Sequence, residues 1–150
     1  MPLQDMLDRG INVAIGTDGA ASNNNLNLFE ELHLASLIHK GRSGDPTIVR
    51  PDDLLLMATL NGARAQGRPD CGELAVGKKA DLIAIDLRQP HLMPAHDVTA
   101  LLVYSAQASD VAMTMVDGKI LYERGAWLTI DREQILRDLD ASTARLFKPA

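Results

Sequence analysis

The chain is poor in residues that mark several protein classes, and each shortage narrows what it can be. One cysteine, Cys71, stands among 150 residues, so no intrachain disulfide can form. With no histidine beside it and no helix start to lower its pKa, that thiol reads as structural rather than nucleophilic. No basic run exceeds Lys78-Lys79 and the net charge is −5, which argues against a nucleic-acid partner because phosphate binding needs a clustered positive field. The longest apolar runs, such as Leu54-Leu55-Leu56-Met57-Ala58, fall far short of the roughly 20 residues a membrane-spanning helix requires, so no membrane association is expected. Asp5, Asp8 and Arg9 interrupt the opening residues, no cleaved signal is legible there, and a cytoplasmic location is the default expectation. What remains is 46% hydrophobic and 23% charged, the balance of a soluble globular chain able to bury a core as one unit or two small lobes.

Periodicity orders the elements. Leu3, Met6 and Leu7 share helical spacing up to a capping Gly10. Ile11, Val13 and Ile15 then alternate with Asn12, Ala14 and Gly16, which predicts a strand ending at Thr17-Asp18-Gly19. Asn27 with Glu30 predicts a capping box and a helix to about His39, whose apolar face of Leu28, Leu32 and Ala35 is widened by Phe29, Leu34, Leu37 and Ile38 and so expects cover on more than one side. A second helix is expected from Pro51 to Gly67, with Gly62 suggesting a close backbone approach. Beyond Arg68-Pro69-Asp70, strands are expected at Gly72 to Val76, Asp81 to Leu87, Leu101 to Tyr104, Val111 to Val116 and Lys119 to Glu123, with Asp117-Gly118 as a hairpin turn. Asp131 with Gln134 caps a final helix.

Asp18 is the residue with the most chemical content: a carboxylate at the end of a strand that feeds a polar loop and then a helix sits where (β/α) barrels place reacting groups. On the pattern alone, an Asp-Gly turn explains it as well. Asp81 and Asp117 read as turn and strand-edge residues, and the methionines as core filler.

The run Gly16-Thr17-Asp18-Gly19-Ala20-Ala21-Ser22-Asn23-Asn24-Asn25, followed by Asn27-Leu28-Phe29-Glu30-Glu31, resembles the last barrel strand and following loop of the amidohydrolase superfamily. More narrowly it resembles the methylthioadenosine/S-adenosylhomocysteine deaminase branch. His39-Lys40-Gly41, Ala58-Thr59-Leu60-Asn61-Gly62-Ala63, Gly72-Glu73-Leu74-Ala75-Val76-Gly77-Lys78-Lys79-Ala80-Asp81-Leu82, Leu102-Val103-Tyr104-Ser105-Ala106 and Val116-Asp117-Gly118-Lys119 continue the likeness in order. The resemblance implies an α+β chain: the last strand and helices of a (β/α)8 metallo-hydrolase (TIM) barrel over residues 1–68, part of a composite β-sandwich over 69–130, and a C-terminal helix and tail over 131–150. It implies that Asp18 is a metal ligand that also accepts a proton from the attacking water, with Zn or Fe as the divalent metal of the complete enzyme. Ser22, Asn23 and Asn24 would lie at the barrel mouth, where they contact the nucleoside substrate or simply hold the loop together.

The resemblance also exposes a shortfall. The family pattern needs a His-x-His pair, two further histidines and a glutamate from earlier strands, and none is present. His33 and His39 are six residues apart, about 120° around a helix at roughly 100° per residue, and read as partly exposed helix positions. His91 and His96 flank Pro94 in a loop and read as solvent-facing or loop-packing. The chain is therefore expected to be a hydrolytic deaminase part acting on an adenosine-like nucleoside, inactive and without tightly bound metal on its own. It is expected to associate as a homo-oligomer or with the missing N-terminal portion. A non-catalytic truncated protein serving as an oligomerisation or binding module, and chlorohydrolase chemistry in the same scaffold, are the alternatives.

Overall fold

A computed structural model describes residues 1–147 and shows an α+β arrangement in which helices precede a small sheet. The tail expected at 148–150 lies outside the described residues. Helix α1 spans Leu3–Asp8 and stops at Gly10, whose φ of 68° turns the chain into the segment that carries Asp18. Helix α2 spans Leu28–Ser43, longer than the expected end at about His39, and takes its left-handed cap at Gly44.

The helix expected from Pro51 to Gly67 is two helices, α3 at Pro51–Ala58 and α4 at Leu60–Ala65. Thr59 divides them at φ −123° and ψ −95°. Its hydroxyl donates to the Leu55 carbonyl at 2.7 Å, the side-chain competition for a helical carbonyl that bends or breaks a helix. Residues Leu101 to Tyr104, expected as a strand, belong instead to helix α5, Val98–Tyr104. A continuous apolar run is ambiguous between the two states. Asp97 decides it by accepting a capping bond from the Ala100 N–H at 2.9 Å, and Val103 then enters the core at 1% exposure.

One core holds these pieces together. Leu3, Val13, Leu32, Val49, Leu54, Met57 and Val103 form it, so α1, the Asp18 segment, α2, α3 and α5 share a single apolar interior. The strand expected at Ile11 to Ile15 keeps its alternation only from Val13 on: Val13 is buried and Ile15 half-buried, Asn12, Ala14 and Gly16 are exposed, and Ile11, expected on the apolar face, stands 46% exposed. It makes no ladder, since the described residues offer it no neighbouring strand. It is tacked to the helices through the Ile15 N–H to Met57 carbonyl bond at 3.2 Å, and Asn61 donates to the Val13 carbonyl at 3.1 Å.

The sheet is antiparallel in the order β1-β2-β3-β4, with β1 at Leu82–Ile85, β2 at Val111–Val116, β3 at Lys119–Glu123 and β4 at Ala126–Trp127. Asp117 and Gly118 turn β2 into β3 at φ 51° and 76°, as the hairpin signal predicts. Gly72 to Val76 forms no strand, and Leu74 stands 75% exposed without a partner. Charges join the sheet to the segment after α4, where Arg68 lies 3.6 Å from Asp81 and Lys79 4.0 Å from Asp70, and Lys79 also lies 3.4 Å from Asp117 in the β2–β3 turn. Asp81 in turn accepts from the Asp117 N–H at 2.7 Å, so both aspartates serve the turn and edge roles expected of them. Helix α6, Arg132–Leu146, begins with the expected cap, Asp131 accepting from the Gln134 N–H at 2.9 Å.

Candidate functional site

Asp18 follows the alternating segment, is exposed, and takes φ 60°. Aspartate tolerates that left-handed backbone better than most side chains, because its short carboxylate bonds locally. Here Oδ1 accepts from the Gly19 N–H at 2.6 Å, which fixes one oxygen; Oδ2 has no hydrogen-bond partner among the described residues.

The loop after Asp18 closes on itself. The Ser22 and Asn23 N–H groups both donate to the Gly19 carbonyl at 2.9 Å. The Asn23 side chain then donates to the Thr17 carbonyl at 2.9 Å and to Glu31 Oε1 at 2.9 Å, tying the turn behind Asp18 to the first turn of α2. Asn25 does the same one step on, donating to Glu30 Oε2 at 2.8 Å and accepting from the Asn27 N–H at 2.9 Å. Asn27 is the N-cap of α2, but its side chain makes no capping bond and its Oδ1 is buried without a partner among the described residues, so the expected Asn27–Glu30 box does not form. Ser22 and Asn24 are exposed, whereas Asn23 is half-buried. The four residues singled out in the sequence thus occupy one loop, Asn23 as a clamp and Asp18, Ser22 and Asn24 exposed.

A structural divalent site takes about four ligands and a catalytic one about three from protein. Among the described residues no three His, Cys, Asp or Glu side chains converge. The described residues therefore do not make up such a site by themselves.

The histidines lie elsewhere. His33 meets Tyr104 edge-on with ring centroids 6.2 Å apart. Burial, aided by the positive charges of the N-terminus and Arg42, lowers the His39 pKa from its ordinary value. His96 is exposed. His91 is not a loose loop residue: its Nε2 lies 2.8 Å from Oδ2 of Asp110, a carboxylate only 4% exposed that also accepts from the Gln107 N–H at 2.8 Å. Removing His91 strips a buried acceptor of one of its two donors. His91→Ala should lower stability by about 1–2 kcal/mol in urea denaturation, and His91→Asn, which can still donate, should recover part of it.

A second contact joins two blocks that the sequence could only place in order. Lys40 Nζ donates to Tyr104 OH, and the fully buried Ser36 hydroxyl lies 3.1 Å from the same oxygen. Burial alone would push the Tyr104 phenol up, but the bonds from Lys40 and Ser36 together with the Lys40 charge hold it below its ordinary value. Neither pairing carried a local signal, since its partners are 19 residues apart in one case and 64 or 68 in the other.

The chain belongs to the amidohydrolase family, whose model matches residues 1–121. It is 57% identical over 135 residues to a 5-methylthioadenosine/S-adenosylhomocysteine deaminase of Moorella thermoacetica, covering 89% of this chain and 32% of that protein. It is 48% identical over 145 residues to a 5'-deoxyadenosine deaminase of Methanosarcina acetivorans, covering 97% and 33%. Among solved structures, a zinc-bound adenosine deaminase from Xanthomonas campestris matches with a TM-score of 0.91 at 34% identity, over 96% of this chain and 33% of that one. The chain spans about a third of the length of the curated relatives it matches. The resemblance read from the Asp18 loop therefore holds for the family, and the relatives fall in the deaminase branch that it indicated.

Proposed function

We propose that this chain is the C-terminal part of a metal-dependent hydrolytic deaminase acting on an adenosine-like nucleoside. In it, residues 1–68 complete a barrel, 69–130 supply sandwich strands and 131–150 close the chain. The observation that carries this reading is Asp18: an exposed carboxylate at the end of an alternating segment, one oxygen held by Gly19 and the other without a partner among the described residues, next to a clamped Ser-Asn loop. Asp18 would hold a divalent cation, zinc or iron, together with histidines from the rest of the barrel. Such a cation lowers the pKa of its bound water toward neutrality. Asp18 would take the proton as water adds to the amine-bearing ring carbon, and ammonia would leave. Ser22 and Asn24 would contact the substrate, Asn23 holding the loop that presents them.

The experiment is complementation. Mixed with the barrel portion that supplies the missing histidines, the chain should release ammonia from 5-methylthioadenosine, S-adenosylhomocysteine or 5'-deoxyadenosine and should be silent alone. Release of chloride from a chlorinated triazine, with no ammonia from any nucleoside, would assign it to chlorohydrolase chemistry. Association without either product would leave only a binding module.

A further inference from the structure

Asp18 stands at φ 60°, a backbone conformation that a residue with a side chain keeps only when its surroundings hold it there. Its own carboxylate contributes one bond, from the Gly19 N–H. Much of the remaining hold comes from a single residue further along the loop. Asn23 donates its backbone N–H to the Gly19 carbonyl and its side-chain Nδ2 to the Thr17 carbonyl, both at 2.9 Å, so it grips the chain on either side of Asp18.

That grip depends on which way the Asn23 amide faces. The oxygen and nitrogen ends of an amide are nearly the same shape, and turned over, Oδ1 would stand against the Thr17 carbonyl, acceptor against acceptor. The second Nδ2 hydrogen goes to Glu31 Oε1 at 2.9 Å. An ionised carboxylate accepts and cannot donate, so Glu31 admits only the nitrogen end of the amide. Glu31 is half-buried in the first turn of α2, where the helix terminus itself favours a negative side chain. Its neighbour Glu30 is exposed and bonds to Asn25, whose own bonds run to Glu30 and Asn27 and not to the peptides beside Asp18.

We propose that Glu31 is a positioning residue for Asp18 that acts through the Asn23 amide: it keeps the nitrogen end toward Thr17 and so holds the Asp18 carboxylate in one place. The consequence for catalysis rests on the reading of Asp18 as a metal ligand; the geometry does not. Partners that orient a metal ligand from behind are commonly worth about 10–100-fold in metal affinity or activity.

NMR on the 150-residue chain tests the geometry without metal or substrate. The Cα and Cβ chemical shifts of Asp18 report its left-handed backbone. They should stay close to the parent's in Glu31→Gln, whose side-chain oxygen still accepts from Asn23, and move toward extended values in Glu31→Ala and in Asn23→Ala. Adding Glu31→Ala to Asn23→Ala should move them no further, because two changes on one route do not add. Alanine suits a helix turn, so Glu31→Ala should keep the parent's far-ultraviolet circular dichroism. In the complemented enzyme, Glu31→Ala should lower zinc affinity and the rate of ammonia release by about 10–100-fold, and Glu31→Gln should recover most of that loss. Unmoved Asp18 shifts in Glu31→Ala overturn the proposal whatever the activity. So does an active complex whose rate and zinc affinity are indifferent to Glu31→Ala, and so does a Glu31→Gln as impaired as Glu31→Ala, which would make the charge at position 31 matter and not the facing of the amide. A parent complex that releases no ammonia from any nucleoside counts against the deaminase reading instead, and the shifts still decide what Glu31 holds.

Discussion

Asp18→Asn, introduced into the complemented enzyme, should lower the rate of ammonia release by about 10³-fold or more while leaving association of the two portions unchanged. The substitution isolates the charge. Asparagine tolerates the same left-handed backbone, so φ 60° adds no new strain, and its amide oxygen can still accept the Gly19 N–H. What it loses is an anionic ligand and a proton acceptor, and general-base function alone is worth about 10²–10⁴-fold. Metal content measured on the same complex should fall with the rate. If Asp18 were only the first residue of a turn, activity and metal content would stay within a few-fold of the parent, and the deaminase reading would lose its chemical basis.

Much of this could be read from residues in a row. The Asp117-Gly118 hairpin, the Asp131 cap, the Gly10 stop and the alternation at Val13 and Ile15 are local signals, each set by a backbone or burial preference that a few neighbours decide. Thr59 was harder: its hydroxyl captures the Leu55 carbonyl one turn back, a choice that the residue type alone does not force. The Leu101-Leu102-Val103 run became α5 because the core around Leu54 and Met57 takes Val103 from a helix, and the deciding cap, Asp97, lies one residue before the helix starts. The expected strand at residues 11–15 kept its side-chain order from Val13 on and lacked a ladder for a simpler reason: backbone pairing is a property of two segments, and the described residues offer no second one.

The candidate site was legible in its composition and not in its division of labour. One loop carries Asp18, Ser22, Asn23 and Asn24, yet only Asn23 turns inward, to Thr17 and Glu31. Polar residue type cannot say which amide will be consumed by the loop, because that depends on where α2 begins. The same helix start places Glu31 within reach of Asn23 and Glu30 within reach of Asn25, so the loop that presents Asp18 is held by the first turn of α2.

The largest stability effect is expected where sequence reasoning chose the wrong glycine. Gly62 was the candidate for a close backbone approach, but a Cβ there would meet only the Met57 carbonyl oxygen at 3.6 Å, an ordinary contact. The crowded glycine is Gly72. A Cβ at Gly72 would lie 2.7 Å from Ala63 Cβ and 3.0 Å from Leu60 Cα, and its φ of 91° is one that side-chain-bearing residues rarely adopt. Backbone strain of about 1–3 kcal/mol and overpacking of a similar size should add, so Gly72→Val should cost about 3 kcal/mol or more, read from the urea midpoint at unchanged slope. Gly77→Ala separates the two contributions. Gly77 has a φ of 86° but nothing within 4 Å of its would-be Cβ, so only the backbone part, about 1 kcal/mol, should appear. Gly62→Ala, inside α4 with room to spare, should be neutral or gain up to about 1 kcal/mol from helix propensity. Equal losses at all three positions would mean that the segment from Cys71 to Glu73 does not seat against α4, and with it would go the packing that joins the helices to the sheet.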